Sequence, residues 1–142
     1  PYEMGIRTPM IFRWEGTINP EMNTTQAVSS IDIATTIYDI LGLKQPAELK
    51  GINVLDGAEL KNRETVFAET YAHDFTTIDS SLFYRIAIKL PYKLILPDAT
   101  NKPDAKVELF NIVNDPFEQE NLAGSNPEKV EELKKEIKKS FN

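Results

Sequence analysis

The clearest signal in the chain is a change of period. From residue 65 onward bulky apolar groups recur at every second position, over Thr65 to Tyr71, Leu82 to Leu90, Tyr92 to Leu96 and Val107 to Phe110. Alternation of this kind predicts strands with one face on a core, and four in succession predict an antiparallel meander. In the second segment Leu82, Tyr84, Ile86, Ile88 and Leu90 share one side, and Phe83, Arg85, Ala87 and Lys89 share the other, so the first set is expected to lie under a cover. The pattern then lengthens to the helical period. Asn126 stands as N-cap before Pro127, and Val130, Leu133, Ile137 and Phe141 make a narrow apolar stripe, with Glu131 spaced to meet Lys134 and Lys135. This final helix is the predicted cover.

The first half reads differently. Pro9-Met10-Ile11-Phe12-Arg13-Trp14 carries bulky groups on both faces and stops at Glu15-Gly16, which predicts a strand. Residues 16–27 collect turn formers without periodicity and predict a loop. Ser29 is placed as N-cap with Asp32 at the third helical position, and Ile33, Ile37, Ile40 and Leu41 follow at helical spacing until Gly42 and Pro46. A helix is expected from about 30 to 41, its isoleucines facing a core. Residues 42–64 predict a surface connection, with a turn of helix near 57–61.

Composition narrows the chemistry. At 142 residues and 41% hydrophobic the chain can bury a core without staples, and with no cysteine it has no disulfide, no thiolate zinc site and no thiol nucleophile. Sixteen basic against 22 acidic residues give a net charge of -6, which opposes nucleic acid as the main partner. The five lysines between Glu128 and Lys139 alternate with four glutamates, the mark of a solvated helix face rather than a membrane or nucleic-acid patch. No apolar run is long enough for a membrane span. The lone histidine, His73, excludes a His-rich metal site or a two-histidine acid/base pair.

Two clusters could carry function. Arg7, after Glu3 and Gly5, has the guanidinium for an anion, though pairing with Glu3 is the plainer role. His73 and Asp74 follow a predicted strand, in a loop of the kind that carries binding groups. Arg85 and Lys93, on neighbouring strands, could make a small basic face, and cross-strand pairing with Glu69 or Glu108 is the ordinary alternative.

The order of these segments resembles the C-terminal part of the sulfatases, in the alkaline-phosphatase-like superfamily. Tyr2-Glu3-Met4-Gly5-Ile6-Arg7-Thr8-Pro9 is similar to that family's Tyr-Glu-Gly-Gly-x-Arg-x-Pro, with Met4 in place of a glycine. Val28 to Thr36 resembles its Val-Ser-x-x-Asp-Leu-x-Pro-Thr helix start, with Ala34 in place of proline. Arg63 with Val66 to Glu69, and Arg85 with Lys93 to Ile95, are similar to its small C-terminal sheet. The run Glu108 to Ala123 resembles its closing motif Glu-Leu-Tyr-Asp-Leu-x-x-Asp-Pro-x-Glu-x-x-Asn-Leu, in which Asp115-Pro116 and Asn121 make sense as loop-closing groups.

The resemblance implies an α/β protein, α+β within this chain: residues 1–60 as the end of a catalytic domain, and residues 61–142 as a four-stranded antiparallel sheet packed by the C-terminal helix. It implies hydrolysis of a sulfate ester, on an aryl sulfate or a sulfated glycan, by a formylglycine beside calcium. Neither belongs to these residues: Ser125-Asn126-Pro127 has Lys129 where the modification motif needs arginine, and no Asp-Asp pair occurs. The catalytic groups are therefore expected upstream, the remainder of the catalytic domain is the expected partner, and this chain alone is expected to be inactive. His73 and Asp74 are the expected substrate contacts. Family habit suggests a periplasmic or extracellular enzyme. A non-catalytic interaction module is the alternative, dimerising through a sheet edge with an apolar patch at Met10, Phe12 and Trp14.

Overall fold

In the computed structural model, which describes residues 1–141, the period-two segments form one sheet. Its strands are β1 (Val66–Tyr71), β2 (Leu82–Lys89), β3 (Tyr92–Pro97) and β4 (Glu108–Asn111), each antiparallel to the next in the order β1-β2-β3-β4. The helices among the described residues are α1 (Glu3–Ile6), α2 (Ile31–Ile40), α3 (Gly57–Asn62), α4 (Ile78–Ser81) and α5 (Pro127–Ser140). The meander, the helix near 30–41, the turn of helix near 57–61 and the final helix all stand where the pattern put them.

Helix α5 covers the sheet, but on the face opposite to the one expected. Ala87, Leu94 and Leu109 stand side by side across β2, β3 and β4, and Val130, Leu133 and Ile137 of α5 close over them. Alternation says which residues share a face, not which face a helix takes. The Ala87 row offers an apolar strip for close approach, and beside it Lys89 contacts Glu136 at 2.8 Å and Glu132 at 3.3 Å on α5, and Glu64 at 3.0 Å just before β1. These carboxylates, Glu136 foremost, hold the Lys89 ammonium above its usual range. Each fully buried aliphatic group on α5 contributes about 1.5–3 kcal/mol, against about 0.3–0.5 kcal/mol for a surface pair such as Lys134–Glu131, so the stripe fixes the helix.

The opposite face is covered as well. Ile86, Ile95, Phe110 and Ile112 are buried there, with Ile6 of α1 packed on them and Tyr2 edge-on to Phe110 at 6.3 Å. Into this second layer β3 sends Lys93, fully buried, its ammonium 3.1 Å from Glu3 Oε1 and 2.7 Å from Glu118 Oε1. The Glu118 contact lacks hydrogen-bond alignment and is Coulombic, while Glu118 Oε2 accepts from the Glu3 N–H at 2.6 Å. Neither Arg7 nor Glu108 is involved: Glu3 pairs with Lys93, Arg7 is exposed, and Glu108 accepts from the Tyr2 hydroxyl. The closing motif works as loop chemistry. Asn121 Oδ1 accepts from the Leu109 and Ala123 N–H groups, and Asp115 Oδ2 from those of Gln119 and Glu120.

Residues 9–14 are not a strand. They are irregular, with Ile11 and Trp14 exposed and Met10 and Phe12 half-buried. A strand needs a ladder partner, and none pairs with this segment among the described residues. Helix α2 is inverted relative to its pattern. Ile33, Ile37 and Leu41 are exposed, whereas Asp32, Thr35 and Thr36 are buried against residues 51–54. Ser30, not Ser29, is the N-cap and makes no side-chain cap. Asp32 instead accepts from Ser29 N–H at 2.7 Å and Ile52 N–H at 3.0 Å, and from both Arg63 amino groups at 2.8 and 3.0 Å. Gly51 makes this fit possible, since a Cβ there would lie 2.6 Å from both Ile31 O and Thr35 Oγ1.

Candidate functional site

The β1–β2 connection rises from the edge of the sheet. Register slips between Thr70 and Tyr71, a bulge that re-aims the end of β1. Beyond it the chain is pinned at its foot: Ala72 N–H donates to Ser81 O at 2.7 Å, and Thr76 N–H to Ser81 Oγ at 3.1 Å. The Thr77 side chain caps α4 through Ser80 N–H, and the Asn101 amide donates to Asp79 O and Leu82 O. Between these anchors His73, Asp74 and Phe75 stand exposed.

His73 and Asp74 therefore share one loop tip, and neither side chain has a hydrogen-bond partner among the described residues. The loop is not joined by the two other cations considered. Arg85 pairs with Glu69, its cross-strand neighbour, at 3.0 Å and lies 5.3 Å from the Phe141 ring centroid. Lys93 is buried on the opposite face with Glu3 and Glu118. A basic face thus does not form: one cation is neutralised across the strands and the other inside the core.

Beneath the tip lies an aromatic pair that residue-type reasoning missed. Phe75 is 56% exposed, and its ring meets Tyr71 at 5.4 Å between centroids and 77° between planes. The Tyr71 hydroxyl donates to Glu69, the carboxylate that also holds Arg85. That hydrogen bond, more than burial, pushes the Tyr71 phenol up to about 12. An aromatic directly after His73-Asp74 was the available signal.

The chain's residues do not fit a calcium or a formylglycine. Among the described residues no group of three or more His, Asp or Glu side chains is arranged to hold a metal ion, and Ser125 Oγ donates to Leu122 O at the approach to α5.

The whole sequence, residues 1–142, matches the family described as N-sulphoglucosamine sulphohydrolase, C-terminal. The chain belongs to this sulfatase family. A sulfatase of Formosa agariphila is 31% identical over 140 residues, covering 89% of this chain and 24% of its own length. An ulvan-active sulfatase of the same organism is 26% identical, with 99% and 33% covered. An N-acetylgalactosamine-6-O-sulfatase of Bacteroides thetaiotaomicron is 27% identical, with 93% and 27% covered. A solved sulfatase structure from glycosaminoglycan metabolism in Bacteroides thetaiotaomicron superposes with a TM-score of 0.64 at 27% identity, over 85% of this chain and 28% of that one. A structure solved with its substrate D-glucosamine-2-N,6-O-disulfate superposes at 0.56 and 20% identity, a likeness of fold, over 77% of this chain and 23% of that one. This sulfatase C-terminal chain spans about a quarter to a third of the curated relatives it matches.

Proposed function

We propose that this chain is the C-terminal part of an enzyme that hydrolyses sulfate esters, with sulfated glycans as the substrate class. The observation that carries the reading is the match of all 142 residues to a sulfatase C-terminal family, in a chain a quarter to a third as long as its relatives. Residues 1–60 are then the end of the catalytic domain and residues 61–142 its C-terminal subdomain. The outward face of α2, with Ile33, Ile37 and Leu41 exposed, is what docks on the remainder of that domain. Calcium and formylglycine chemistry belongs to that remainder, so these residues alone are inactive. The likeness to an ulvan-active sulfatase and to an N-acetylgalactosamine-6-O-sulfatase favours glycans over aryl sulfates. An enzyme acting on such polymers works in the periplasm or outside the cell.

Within the complete enzyme the 71–81 loop borders the substrate, and His73 and Asp74 make hydrogen bonds to it. The test is sulfate release by the complete protein from sulfated oligosaccharides and from an aryl sulfate. With His73→Ala or Asp74→Asn, kcat/KM on the preferred substrate falls about 10-fold, a loss near the upper end for one hydrogen bond; unchanged kinetics in both variants remove the loop from the site.

Exposed apolar groups, Ile33, Ile37 and Leu41 of α2 with Ile11 and Trp14, favour a second reading, a non-catalytic module that self-associates through them and not through a sheet edge, since residues 9–14 form no strand. Light scattering of the complete protein separates the two, since a monomer with sulfatase activity leaves no room for this module.

A further inference from the structure

Phe75 presents more than half of its surface to solvent on a loop whose two ends are hydrogen-bonded in place. Its supports form a chain into the fold: Tyr71 packs edge-to-face on it, Glu69 fixes the Tyr71 hydroxyl, Arg85 fixes Glu69, and Arg85 lies over Phe141, which packs against the core under α5. Holding a ring in one orientation before a ligand arrives removes ordering cost from binding. Its neighbours are polar. His73 and Asp74 precede it, and in the turn that follows the Thr76 and Thr77 hydroxyls each hydrogen-bond with the Ser80 hydroxyl.

We propose that Phe75, braced by Tyr71, is a stacking surface for a pyranose ring of the glycan, with His73 and Asp74 hydrogen-bonding that ring's hydroxyl rim. This rests on the sulfatase reading and deepens it. A pyranose has an apolar C–H face and a rim of hydroxyls, which matches an exposed aromatic ring preceded on the same loop tip by an exposed His73 and Asp74. The Asp74 carboxylate, adjacent to Phe75 in the chain, disfavours a sulfate at this place. The sugar bound here is therefore recognised through its ring and hydroxyls, and its contact adds affinity for an oligosaccharide that a small aryl sulfate cannot use.

The experiment measures kcat/KM of the complete protein and of its Phe75→Ala and Phe75→Trp variants on 4-nitrophenyl sulfate and on sulfated chondroitin, heparin and ulvan oligosaccharides. Phe75→Ala is expected to lose about 10-fold on the preferred oligosaccharide, mainly through KM, with the aryl sulfate unchanged and Phe75→Trp near wild type. An equal loss on both substrates with a lowered melting temperature means that Phe75 packs against protein, and overturns the proposal; so does no loss at all. Wild-type protein that cleaves the aryl sulfate but neither cleaves nor binds any of these oligosaccharides overturns the glycan surface and spares the sulfatase reading. If wild type releases no sulfate from anything, the sulfatase reading fails. Affinity electrophoresis in the same sulfated polysaccharides then decides for Phe75 separately: retardation lost in Phe75→Ala supports the surface, and equal migration, retarded or not, overturns it.

Discussion

Asp32→Ala should release α2 from the rest of the chain. The carboxylate is fully buried, the Arg63 side chain is 9% exposed, and the two meet through paired contacts of 2.8 and 3.0 Å. Removing one member of such a pair leaves the other charge buried without a partner, at a cost of about 3–5 kcal/mol. The Ser29 and Ile52 N–H groups lose their acceptor as well. Because the hub joins α2, residues 51–54 and the entry to β1, the damage should be local, so amide hydrogen exchange is the suitable assay. A cost of about 3 kcal/mol corresponds to roughly 150-fold faster exchange over residues 31–40, while β2 and β3 peptides keep their protection. Arg63→Met should do about the same, and the double variant little more than either single, a coupling of about 3 kcal/mol. Additive single effects, or unchanged exchange in α2, would refute the claim that this pair holds the helix.

Lys93→Met should lower stability by about 3–5 kcal/mol in urea denaturation, since it strands the buried Glu3 and Glu118 carboxylates; adding Glu3→Gln and Glu118→Gln should recover much of the loss, and no recovery would mean that lysine packing, not charge, matters. The Tyr71 and Tyr2 phenols are both raised from 10 to about 12, so each holds its proton more tightly folded than unfolded. Their contribution is complete below about pH 10 and is lost as pH climbs from 10 to 12. Ultraviolet titration should show Glu69→Gln bringing Tyr71 back toward 10, whereas Glu108→Gln should move Tyr2 less, because burial is the largest cause there and the Glu69 hydrogen bond is the largest cause for Tyr71.

Much of the chain could be read without coordinates. The four strands, the final helix with its Val130-Leu133-Ile137 stripe and the Asp115 and Asn121 loop closures are local consequences of period and turn chemistry, and they stand where the pattern placed them. The family was legible too, because its motifs are short, ordered runs. Alternation fixes which residues share a face, but only packing decides which face α5 takes, and the flat Ala87-Leu94-Leu109 row with charges on its flanks decided it. Periodicity likewise marks Ile33 and Ile37 as a face that must meet something, yet Asp32 and Thr36 are the groups buried within this chain, because their partners at Ile52, Val54 and Arg63 are supplied by a segment 16–31 residues further on. Lys93 and Phe75 show the same limit from two sides. A lysine in a strand looks like a surface charge until two distant carboxylates close over it, and an aromatic in a loop is one more apolar residue until a bulge and a tyrosine hold it in the open. Sequence determined most of the elements and the family because these are encoded between near neighbours; the strand expected at residues 9–14 is absent because no ladder partner meets it. Burial, charge pairing and the exposed ring depend on residues far apart in the chain, and only the tertiary structure brings those together.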